Sequence, residues 1–167
     1  MSHHRSRLML AAAAFVAFGS MSSMPAFAAD PTSTHEVDVD ATGIAMQGYD
    51  PVAYFTDGAP RKGNPQFKIV ENGATYYFAS ADNMKRFQAS PAAYLPQYGG
   101  FCAMGTAMGK KFDGDPKVWK IVDKKLYLNF NPDVGRRWGE DIPTNIDRAN
   151  DNWPTIRSKT PAELEAQ

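Results

Sequence analysis

The feature that most limits how this chain can fold is a pattern written twice. Phe67-Lys68-Ile69-Val70, the turn Glu71-Asn72-Gly73 and Thr75-Tyr76-Tyr77-Phe78 read as an antiparallel hairpin. Asn-Gly favours the tight turn between two short strands of β-branched and aromatic residues. Ser80 can then cap a helix that begins at Ala81 and turns Met84 and Phe87 inward. Val118 to Val122, Asp123-Lys124-Lys125 and Leu126 to Phe130 repeat the hairpin, and Asn131-Pro132-Asp133 repeats the cap with proline in the first helical turn. Lys68-Ile69-Val70 recurs as Lys120-Ile121-Val122, and Arg86-Phe87 has its counterpart in Arg137-Trp138. Such a likeness arises either from duplication or from the grammar that all capped hairpins share.

The pattern predicts an α+β fold: two antiparallel β-hairpin-plus-helix units with a C-terminal helical arm. Before the first unit, Asp50 is an N-cap and Pro51 a first helical residue for a short apolar turn through Val52, Tyr54 and Phe55. After the second, Ile142, Ile146, Ala149 and Trp153 recur at helical spacing, with Pro143 starting a new segment and Pro154 and Pro161 marking the end. Between the units lies Tyr98-Gly99-Gly100-Phe101-Cys102-Ala103-Met104-Gly105, which holds the single cysteine and more glycine than a plain connector needs.

The chain opens with a basic stretch containing Arg5 and Arg7, an apolar run from Leu8 to Gly19, and Ala26-Phe27-Ala28. This is the order of a secretory signal, and a run of about 12 residues is short of the roughly 20 that span a bilayer. The expected division is a signal peptide over 1–28, a flexible leader over 29–40, one domain over 41–159 and a disordered tail over 160–167. The expected location is periplasmic or secreted, reached by the general secretory route, with no membrane span once the signal is cleaved. Removing the two signal arginines from 18 basic residues leaves 16 against 18 acidic ones, so the mature charge near −2 offers no footprint for nucleic acid. One cysteine cannot form an internal disulfide, so stability must come from packing.

Asp50-Pro51-Val52, Tyr76-Tyr77-Phe78-Ala79-Ser80 and Phe87-x-x-x-Pro91-x-x-Tyr94 together resemble the YHS-domain family. The later runs Tyr98 to Ala103, Trp119 to Asp123, Leu126 to Phe130 and Asn152-Trp153-Pro154 look like its longer, exported members, so the resemblance covers nearly the whole mature chain. It implies a treble-clef-like core often linked to heavy metals. Metal-associated members carry cysteines where this chain has Ala53, Ala79 and Asn83. Alanine offers no ligand atom and an amide is a poor partner for a soft metal, so metal binding does not transfer with the resemblance.

Cys102, Met104 and Met108 form the densest soft-donor set, a thiolate and two thioethers suited to copper(I) if the backbone at Cys102 is non-helical. Packing in the core accounts for the same residues. A helix starting near Phe101-Cys102 would lower the thiol pKa, but His35 is the one histidine after the signal and lies in the leader. No catalytic constellation is recognisable, and the chain is expected not to be an enzyme. Asp113-Gly114-Asp115 hints at an oxygen-ligand loop without the spacing of a calcium site, and Lys110-Lys111 reads as a solvated pair. The expected function is a non-enzymatic exported protein binding a soft metal or small ligand near Cys102. The alternatives are a module for another exported protein and, further off, a thiol redox enzyme. The oligomeric state is not set by the sequence.

Overall fold

A computed structural model describes residues 33–166. The expected signal peptide, residues 1–28, and the first part of the expected leader lie outside the described residues. The order of elements is α1 (Ala53–Thr56), β1 (Asn64–Glu71), β2 (Ala74–Phe78), α2 (Ala81–Ala89), α3 (Ala103–Ala107), β3 (Asp115–Val122), β4 (Lys125–Asn129), α4 (Pro132–Glu140), α5 (Ile142–Ile156) and α6 (Pro161–Glu165). β1 pairs with β2 and β3 with β4, each as a separate two-stranded antiparallel sheet.

The repeat runs deeper than the sequence likeness. β1 and β3 each have a register irregularity near the start, Asn64 to Lys68 and Asp115 to Trp119. Asn64 faces Phe78 as Asp115 faces Asn129, and Glu71 faces Ala74 as Val122 faces Lys125. The turn residues Asn72-Gly73 and Asp123-Lys124 all have positive φ, the geometry a two-residue hairpin needs. Ser80 Oγ accepts from Asn83 N at 3.1 Å, and Asn131 Oδ1 accepts from Val134 N at 2.9 Å. The helices so capped bury Phe87 and Trp138 at corresponding positions. Upstream, Met46-Gln47-Gly48 and Tyr98-Gly99-Gly100 are both runs of positive φ. They close alike, with Tyr49 N–H donating to Met46 O and Phe101 N–H to Tyr98 O.

The two units are not packed alike. β2 alternates buried and half-buried residues, as a strand with one covered face must. β4 is buried without a break from Leu126 to Asn129. Leu126 and Leu128 enter a core with Tyr54, Tyr76, Phe78 and Phe87, while Tyr127 enters a second core with Tyr98, Trp138 and Ala149. The second hairpin is therefore the shared wall between two cores. Each fully buried aromatic or leucine adds about 1.5–3 kcal/mol of transfer free energy.

Both ends of the domain differ from expectation. The leader was expected to be flexible to residue 40, yet Val37 is buried, Val39 bridges Ala45, and Asp38 bonds to Gly99 and Gly114. The tail was expected to be disordered from Thr160, yet Pro161–Glu165 is helical. Thr160 and Glu163 form a capping box there and Leu164 is buried. Pro154 does not end α5 but sits in its last turn, where the helix is already close to finishing.

Candidate functional site

Asp50, expected as a helix cap, does more than cap. It is fully buried; Oδ1 accepts from Val52 N at 2.8 Å, and Oδ2 accepts from Ala79 N at 2.8 Å and Asn83 Nδ2 at 2.7 Å. Two of the three positions where the resemblance places cysteine are thus tied to one carboxylate oxygen. The third, Ala53, is buried at the start of α1. Where the resemblance places thiolates, this chain has a closed hydrogen-bond network.

Cys102 holds the matching place in the second unit. It is the N-cap residue of α3, with non-helical backbone, and its sulfur accepts from Gly105 N at 3.4 Å. Its thiol lies 3.7 Å from Asn129 Oδ1, which also accepts from Met104 N at 3.1 Å. Burial raises the thiol pKa against the lowering effect of the amides of Gly105, Phe130 and Met104. α3 is a single short turn, and desolvation outweighs any lowering of the thiol pKa by its N-terminal amides.

The other soft donors diverge. Met104 is half-buried against the second core, whereas Met108 stands past the end of α3 and is 63% exposed. Cys102 itself is 1% exposed. The backbone at Cys102 is non-helical, as a shared site requires, but α3 carries Met108 into solvent instead of folding it back over the thiol. Among the described residues, no three His, Cys, Asp or Glu side chains gather into a metal-holding group.

Chemistry that the sequence hid lies beside the glycine turn. Lys110-Lys111 is not a solvated pair. Lys111 is 2% exposed, and its Nζ donates to His35 O, Arg157 O and Lys159 O at 2.8, 3.1 and 3.0 Å. The ammonium also stands 4.6 Å from the Phe101 ring centre, and Lys110 Nζ donates to Leu164 O. Burial lowers the Lys111 pKa. Lys111 therefore ties the N-terminal segment to the end of α5, a role no local pattern announces.

That tie frames an open cleft of about 720 Å³ lined by His35, Tyr76, Leu95, Pro96, Trp153 and Arg157, with Glu36 and Val37 on one side. Glu36 and Arg157 approach to 3.6 Å, both half exposed. Such a pair is worth at most about 1 kcal/mol and can open to a competing anion. The cleft lining is mostly polar, with Leu95, Pro96 and Trp153 in the apolar part and the Arg157 guanidinium among the polar groups.

A two-unit α+β protein with a buried carboxylate at one helix start and a thiol at the other is the class these features define. Residues 52–98 match the YHS domain, so a YHS domain is present in the first unit and the turn that follows it. The second hairpin and its helix lie outside that match. No curated protein and no solved structure matches the chain.

Proposed function

We propose that this is an exported, non-enzymatic binding protein built on a YHS domain, whose occupant is a small organic molecule with an apolar body and an anionic group. The observation that carries this reading is the cleft beside the glycine turn. Trp153, Leu95 and Pro96 supply its apolar surface, and Arg157 supplies a cation whose ion-pair partner, Glu36, is half exposed. Cys102 is then a structural cap, the thiol counterpart of Asp50. The runner-up occupant is copper(I) at the Cys102 thiol, favoured by the non-helical backbone at the cysteine.

Anilinonaphthalene sulfonate has the required combination of rings and anion and serves as the probe. Saturable fluorescence enhancement is expected in the folded protein, weakened about tenfold by Arg157→Gln, a loss of about 1.4 kcal/mol. Leu95→Trp, which fills the cleft, should weaken it further. A folded wild type with no saturable phase removes the ligand reading. A copper(I) titration with one tight equivalent, lost in Cys102→Ala, moves the site to the cysteine.

A further inference from the structure

Residues 33–40 lie along the second unit as a strap, and their attachment is specific. In the first unit Gly63 N–H donates directly to Gly48 O at 2.8 Å. In the second, the corresponding Gly114 N–H donates at 2.9 Å to Asp38 Oδ2, and Asp38 N–H donates to Gly99 O at 2.9 Å. The strap residue takes the place of a bond internal to the unit. A Cβ on Gly99 would lie 1.9 Å from Glu36 O, so the strap sits against bare backbone.

Asp113 adjoins this bond. Its Oδ1 is buried and finds no hydrogen-bond donor among the described residues. The Asp113 side chain does interact with the Asp38 carboxyl, and two carboxyls can share a hydrogen bond only while one of them carries a proton. The geometry points to a pH-operated latch: the Asp38–Asp113 carboxyl pair holds the strap, and with it one side of the cleft, while the pair keeps a proton, and loosens it when both ionise. The latch would regulate the proposed cleft, but it stands or falls without it.

The Lys111 charge and the Gly114 N–H both favour an ionised Asp38, and burial together with the Asp113 charge outweighs them. Lys111 faces Asp38, but its ammonium is already committed to three carbonyl oxygens and also faces Glu36. Tyr76 from β2 and Cys102 from the start of α3 also face Asp38, and both are neutral at physiological pH. Burial raises both carboxyls. Asp113 is pushed to about 6, and Asp38, which also feels the Asp113 charge, goes well above the ordinary carboxylate range. The docked strap therefore binds more protons than the released strap. Its hold is full below the ordinary carboxyl pKa and declines as pH rises through about 6 and beyond.

Hydrogen exchange of the full chain, read on peptides covering 33–40 and corrected for intrinsic rates, tests the latch. Between about pH 5 and about pH 8 the protection of Asp38 and Val39 should fall about tenfold, while hairpin β1–β2 stays constant. Asp113→Asn, which donates without titrating, should keep the strap protected at both pH values. A wild-type strap with the same protection at both overturns the proposal, as does an unchanged pH dependence in Asp113→Asn. If that variant loses hairpin protection and so has not folded, Asp38→Asn takes its place under the same criterion.

Discussion

The two hairpin-plus-helix units share their turns, strand registers and caps, yet close their helix starts with different chemistry. The first places a fully buried carboxylate, Asp50, where three donors converge. The second places a thiol, Cys102, with one close amide and a long contact to Asn129. The backbone frame is thus the constant, and the group at its centre can be exchanged as long as it accepts hydrogen bonds. The difference also shows where each unit is vulnerable. The first depends on its buried ion being fully satisfied, and the second on being packed from both sides through β4.

The largest expected effect tests the shared frame. Phe87 packs at 5.1 Å from Phe78 and 5.5 Å from Tyr76 between ring centres, and Trp138 at 5.3 Å from Tyr127. Both are essentially inaccessible. Phe87→Ala and Trp138→Ala should each destabilise the protein by about 3–5 kcal/mol in urea unfolding, since each leaves a ring-sized cavity. A cost below about 1 kcal/mol for either would mean that the two helices are not equivalent supports. Trp138 Nε1 is buried without a partner among the described residues, so Trp138→Phe should recover most of the loss.

The next effect separates the units. Asp50→Ala strands the amides of Val52 and Ala79 and the Asn83 side chain, and should cost about 2–4 kcal/mol. Cys102→Ala removes a small group with weak hydrogen bonds and should cost about 1–2 kcal/mol. Equal losses on urea unfolding would erase the distinction between an ion-centred and a thiol-centred unit.

Much of this frame was legible in the chain, for local reasons. Asn72-Gly73, Ser80 and Asn131 act within two or three residues of themselves, so their signals survive any tertiary context. What stayed hidden is long-range. Lys111 is buried because carbonyls 46 to 76 residues away converge on it, which charge alone reads as a solvated residue. Asp38 looks like part of a polar leader until Gly114 and Asp113 come to meet it. The capping box at Thr160 was a readable signal, but Pro154 before it and Pro161 after it read as an ending. The soft-donor set is spread apart for a different reason. Spacing places Met104 and Met108 on one turn, but α3 ends at Ala107 and releases Met108.

The smallest expected effect bears on how alike the units are at their best-matched point. Ser80 and Asn131 each accept one amide at the start of a nine-residue helix, at 3.1 and 2.9 Å, with Asp82 and Asp133 in the first turn. Ser80→Ala and Asn131→Ala should each cost about 1 kcal/mol, seen as parallel shifts of the urea midpoint with unchanged slope. Unequal shifts have a direction to look for. Pro132 already fixes the first helical residue after Asn131, whereas Ala81 leaves that residue free after Ser80. Any excess loss should therefore fall on Ser80→Ala. An excess on Asn131→Ala would mean that the second helix relies on its cap more than its proline allows.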